Sequence, residues 1–103
     1  MKIEIEQNQG NIRIIFFGDM DEYAVRDVRN DIDRLIDTSP VLRTMVFDLR
    51  GVSFVDSTAL GFLLARYKRL RARHSELVVA NVPHQVDKVF KTSGIYRYVP
   101  IVE

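Results

Sequence analysis

The feature that most constrains the fold is a short apolar run, Met45-Val46-Phe47-Asp48-Leu49, followed after a loop by an apolar pattern of different period. The first has the near-continuous hydrophobicity of a strand buried in a parallel sheet. In the second, Leu60, Leu63, Leu64, Tyr67 and Leu70 recur at helical spacing, which predicts a helix starting near Ser57 with one apolar face against a sheet. The stretch Val52-Ser53-Phe54-Val55-Asp56-Ser57-Thr58-Ala59-Leu60-Gly61 is then a strand-side loop becoming a helix. Asp56 and Ser57 both suit an N-cap, because a short side-chain oxygen accepts a bond from an orphan helix N–H. A serine at such a junction reads either as a cap or as a reactive or modified hydroxyl, and position alone leaves both open.

The same logic orders the rest of the chain. Ile3 and Ile5 alternate with Lys2, Glu4 and Glu6, the period of a half-exposed strand. Asn8-Gln9-Gly10-Asn11 is turn chemistry, and Ile12 to Phe17 is a second strand, so the two predict an antiparallel hairpin. Gly18 breaks the strand. Asp19 and Asp21 are candidate caps for a helix whose stripe is Val25, Val28, Ile32, Leu35 and Ile36; with Asp19 as cap, Glu22 would complete a variant capping box. Thr38-Ser39-Pro40 ends that helix. Leu77 to Asn81 reads as another buried strand. Pro83 suits the start of a third helix bearing Val86, Val89 and Phe90, which Ser93-Gly94 closes. Tyr96 to Val102 is expected as a last strand, at an edge because of Pro100. The order β-β-α-β-α-β-α-β predicts an α/β fold with a single mixed, mostly parallel sheet and right-handed crossovers. Strands lying in sequence order would put all three helices on one face.

A chain of 103 residues with no linker or internal repeat is expected to be one domain. Its formal net charge of +1 favours no class of partner. Without cysteine there is no disulfide, thiol catalysis or Cys-type zinc site, which fits a reducing compartment. No apolar run approaches a membrane span and the N-terminus is no signal peptide, so the cytoplasm is the expected location.

Phe54-Val55-Asp56-Ser57-Thr58-Ala59-Leu60-Gly61 resembles the signature of the anti-sigma factor antagonists of the STAS domain family, although Ala59 stands where glycine is usual. Phe17-Gly18-Asp19-Met20-Asp21 is similar to that family's Gly-x-(Leu/Ile)-Asp before the first helix. Ala65-Arg66-Tyr67-Lys68 and Thr92-Ser93-Gly94-Ile95 resemble segments of the sporulation-type members, which control sigma F. The resemblance implies a STAS-like fold with helices on one face and a binding protein, not an enzyme. It implies phosphorylation on Ser57, with Asp21, Asp56 and Thr58 facing the partner. That partner would be an anti-sigma factor that is itself a serine kinase; the unphosphorylated antagonist binds it and releases sigma factor, and a serine phosphatase resets the serine. The alternatives are a STAS protein of another stress-signalling pathway, or a small nucleotide-binding or hydrolytic α/β domain.

The residues themselves bear on these readings. Sites in open α/β sheets gather beyond the carboxyl ends of the strands, which here would carry Gly18, Asp19, Asp21, Asp48, Asp56, Ser57 and Asn81. Separate caps and solvated loop acids are the plain alternative. Thr58 is expected in the first helical turn with its hydroxyl less free than that of Ser57, and Ser53 in a loop anchored by Phe54 and Val55. His74 and His84 make no metal spacing, and no metal or other cofactor is expected. Val55 and Ala59 occupy the positions that a Gly-x-Ser-x-Gly elbow needs for glycine, and no glycine-rich phosphate loop is present. Arg66, Lys68, Arg69, Arg71 and Arg73 complement the helix dipole and read as a solvated face, with no direct nucleic-acid binding expected.

Overall fold

The computed structural model describes residues 1–102. Strands β1 (Lys2–Asn8) and β2 (Asn11–Phe17) pair antiparallel from Lys2↔Phe17 to Asn8↔Asn11. Gln9 and Gly10, both at positive φ (43° and 90°), make the turn, the two-residue geometry whose twist matches the strands. β3 (Thr44–Gly51) lies parallel to β2, and β4 (Glu76–Ala80) parallel to β3, giving the order β1-β2-β3-β4.

Helices α1 (Glu22–Thr38), α2 (Ser57–Arg71) and α3 (His84–Ser93) fill the crossovers. Alternate strand residues, among them Ile14, Phe16, Met45, Phe47, Leu49 and Val79, form one cluster with Val28 and Ile32 of α1, Phe62 and Leu63 of α2, and Val86 and Phe90 of α3. All three helices therefore cover one face of the sheet. Phe16 and Phe47 meet edge to face at 4.9 Å, and each is fully buried, worth about 1.5–3 kcal/mol apiece.

Three sequence expectations change. The closing strand is reduced: Gly94, in the left-handed region at φ 79°, ends α3, and Ile95–Arg97 is a short 3-10 turn. Among the described residues of the tail only Ile101 then bridges a strand, pairing with Val79 through the Pro100 carbonyl and the Val102 N–H. The buried residues of this tail, Ile95 and Val99, are four apart, the spacing of a helical turn rather than of a strand.

The buried side of α2 is also rotated from the expected stripe. Ala59, Phe62, Leu63, Arg66 and Leu70 are buried, whereas Leu60, Leu64 and Tyr67 are only partly so. Tyr67 instead reaches the C-terminal tail, its ring 5.6 Å from that of Tyr98.

The basic face of α2, expected to be solvated, is largely a bracket to α1. Arg66, 7% exposed, forms a two-pronged pair with Asp33 (3.0 and 2.8 Å) and lies 4.5 Å from the centre of the Phe62 ring. Arg69 pairs with Asp37, and Arg73 donates to the carbonyls of Ile36 and Ser39. Because the partners advance together along both helices, α1 and α2 run parallel, and their N-termini emerge at the same edge of the sheet.

On the other face of the sheet, Asp48 is fully buried. It accepts bonds from Arg13 Nη1 (2.7 Å), from the N–H and Nε of Arg50 (3.1 and 3.0 Å), and from Asn81 Nδ2 (2.9 Å). Burial pushes its carboxyl up, but hydrogen bonds from Arg50, Arg13 and Asn81 outweigh that and hold it at about 2.

Candidate functional site

The site is built where the two parallel helices begin. Gly18, at φ 113°, turns the chain out of β2, and its N–H donates to the Gly51 carbonyl at 3.0 Å. Met20, fully buried, donates from its N–H to the Phe54 carbonyl (2.8 Å), and its own carbonyl accepts from Asp56 N–H (3.4 Å), forming a parallel bridge between Met20 and Val55. Ser53 Oγ adds a bond to Asp19 Oδ1 at 3.1 Å. The β2–α1 and β3–α2 loops are thus held together by backbone and side chain.

Each loop then does the same thing. Asp21 and Asp56 are both extended (φ −109° and −111°), and each carboxylate accepts from the N–H three residues on, Ala24 at 3.0 Å and Ala59 at 2.9 Å. Met20-Asp21-Glu22-Tyr23-Ala24 and Val55-Asp56-Ser57-Thr58-Ala59 are two equivalent capping units side by side: buried anchor, acidic cap, two outward residues, alanine. Asp21, not Asp19, caps α1, so no capping box forms; Glu22 is the first helical residue and pairs with Arg26 instead.

This arrangement resolves the role of each residue at the junction. Asp56 is the cap, which leaves Ser57 as the first residue of α2, exposed and with no hydrogen bond to its hydroxyl among the described residues. Thr58 lies in the first turn of α2 as expected, but it is exposed as Ser57 is and its hydroxyl has no hydrogen bond among the described residues, so the turn does not restrict it. Val55 is buried, but Phe54 is 51% exposed and does not anchor the loop. Loop rigidity comes instead from Val52, Val55 and the bonds to Met20 and Asp19. Asp48 and Asn81, expected near Ser57, bind each other on the opposite face. The acids that do gather here are Asp19, Asp21 and Asp56, none of which has an ion pair among the described residues. Exposure of Phe54 and of Tyr23 is the feature sequence reasoning missed; strand alternation would bury Phe54 with Val52, whereas Val52 and Val55, three apart, are the residues that seat the loop.

The chemistry available is that of a presented hydroxyl. Among the described residues no three His, Asp or Glu side chains converge to hold a metal ion. Among the described residues no helix is long and apolar enough to cross a membrane. The nearest carboxylates are occupied as caps or loop ties rather than aimed at Ser57 as a base. A mixed sheet covered on one face, with an exposed serine at the head of its second crossover helix, defines an α/β domain that carries this hydroxyl on its surface.

The STAS domain family matches residues 2–103, and the chain belongs to that family. It is 28% identical over 103 residues to an anti-sigma F factor antagonist of Paenibacillus polymyxa, spanning 100% of this chain and 87% of that protein. It is 32% identical over 103 residues to an anti-sigma-B factor antagonist of Listeria monocytogenes, with 98% and 88% covered. The structure of the anti-sigma factor antagonist SpoIIAA in its unphosphorylated form superposes with a TM-score of 0.83 at 26% identity, over 99% of this chain and 89% of that one.

Proposed function

We propose that the chain is a cytoplasmic anti-sigma factor antagonist whose unphosphorylated form binds an anti-sigma factor that is also a serine kinase, releasing the sigma factor. Phosphorylation of Ser57 switches it off, and a serine phosphatase resets it. It acts by binding and not as an enzyme. The observation that carries this reading is the exposed hydroxyl of Ser57, without a hydrogen bond among the described residues, at the first position of α2 on a junction fixed by two acidic caps. Asp21, Asp56 and Thr58 contribute to the surface the partner meets.

The physical account of the switch follows from that position. A phosphate adds roughly −1.5 to −2 charges at neutral pH. At a helix N-terminus such charge is favoured by about 0.3–1 kcal/mol, so phosphorylation leaves the fold intact. Its effect falls on the docked state, where a dianion must lose water near Asp19, Asp21 and Asp56, none of which has an ion pair among the described residues. An unpaired buried charge costs several kcal/mol, and 1.4 kcal/mol is tenfold in affinity. Likeness to both anti-sigma F and anti-sigma-B factor antagonists supports the sporulation pathway, with general stress control as the alternative.

Incubation with the host's anti-sigma factor kinases and ATP, followed by peptide mapping, tests the assignment. One phosphate on Ser57, absent in Ser57→Ala, is expected. Phosphate on Thr58 or Ser53, with Ser57→Ala still a good substrate, would refute it.

A further inference from the structure

Phe54 stands out against its surroundings. Its neighbours Val52 and Val55 are buried at 2% and 6%, while its own ring is half exposed. The backbone that carries it is held by the bond from Met20 N–H to its carbonyl. The ring is therefore projected by a rigid loop, three residues before Ser57. An aromatic side chain presented on a fixed backbone loses little freedom on docking, and such residues dominate interface energies.

The charges around it select the occupant. Asp19, Asp21 and Asp56 have no ion pair within the described residues, and Tyr23, 75% exposed on the first turn of α1, lies beside Arg26, whose guanidinium is 5.8 Å from its ring centre. A second copy of this chain would set the same three carboxylates against themselves. Nucleic acid or an anionic membrane would meet them with like charge. A protein face with an apolar socket ringed by Lys or Arg complements both features.

We propose that Phe54 is the apolar anchor by which the unphosphorylated antagonist seats on its anti-sigma factor kinase, and that it sets the strength of the Ser57 switch. This rests on the function proposed above. The partner's cations are committed to Asp19, Asp21 and Asp56, and the socket around Phe54 is dry, so a phosphate on Ser57 falls at the rim of an apolar contact. It loses water there and gains no partner. Without the ring the socket stays wet, and the phosphate keeps its hydration. The energies of Phe54 and of the phosphate are therefore coupled.

A double-mutant cycle reads that coupling. Wild-type, Phe54→Ala and Phe54→Leu proteins, each with and without phosphate on Ser57, are titrated against the host's anti-sigma factor kinases, purified singly. Urea midpoints confirm that the half-exposed ring is dispensable for folding. Phe54→Ala is expected to bind tenfold or more weakly when unphosphorylated, and its ratio of unphosphorylated to phosphorylated affinity should shrink at least fivefold. Phe54→Leu should restore most of both. An unchanged ratio overturns the proposal whatever happens to affinity, as does Phe54→Ala binding within twofold of wild type; in both cases wild-type binding leaves the proposed function standing. Failure of the unphosphorylated wild type to bind any of these kinases removes that function, and this inference falls with it.

Discussion

Replacing Arg66 by methionine should destabilise the protein more than any other change on the basic face of α2. The side chain is 8% exposed and Asp33 20%, and two bonds of 3.0 and 2.8 Å join them. Removing one partner of a buried pair strands the other, which costs about 3–5 kcal/mol when burial is complete. Here Asp33 keeps some water, and Arg69 Nη1 remains at 3.9 Å, so about 2–3 kcal/mol is the reasoned cost. Methionine retains the apolar stem, so packing loss adds little. For a domain of this size that corresponds to a melting temperature lower by about 10–20 °C. Urea titration of wild type, Arg66→Met, Asp33→Leu and the double variant measures it. The double variant should recover most of the loss, because an apolar pair replaces an ion pair without a stranded charge. A single-variant cost below about 0.5 kcal/mol, the value of a surface pair, would refute the bracket and return Arg66 to a solvated face.

Three further outcomes follow from the geometry. Asp48, held at about 2 against an unfolded value near 3.9, contributes on the order of 2–3 kcal/mol that is fully present above pH ~5 and is lost as pH falls toward 2; urea midpoints across that range should fall steeply for wild type and flatten for Asp48→Asn. A Cβ on Gly51 would lie 2.5 Å from the Phe17 ring and 2.6 Å from the Phe16 carbonyl, so Gly51→Ala should cost about 1–3 kcal/mol by thermal melting. Asp21→Asn keeps an N-cap and should melt near wild type while binding the kinase more weakly; unchanged affinity would reduce Asp21 to a cap.

Much of the frame was legible because it rests on local periodicity. Met45–Leu49, the hairpin turn at Gln9-Gly10 and the start of α2 at Ser57 are each written in adjacent residues. What escaped depends on tertiary partners. Arg66 looks like any helix-end arginine until Asp33, 33 positions away, is placed beside it. Leu60, Leu64 and Tyr67 read as part of one stripe because α2 is apolar on two sides, one toward the sheet and one toward the tail. Asp48 was read as an edge acid because its position at the end of β3 says nothing about which face its carboxylate takes; the alternation of Phe47 and Leu49 into the core decides that. Ser57 was legible by position, whereas the equivalence of the Asp21 and Asp56 caps appears only when Met20 and Val55 are seen bridged.

Ser57 phosphorylation as a charge block at the docking surface is tested most directly by one affinity comparison. Stoichiometrically phosphorylated and unphosphorylated proteins, shown to melt within a few degrees of each other, are titrated against the same nucleotide-bound kinase. Desolvation of a dianion beside Asp21 and Asp56 predicts at least a hundredfold weaker binding of the phosphoprotein, about 2.7 kcal/mol. Equal affinities would contradict the switch, and a phosphoprotein that melts far below the unmodified one would replace charge blocking with unfolding.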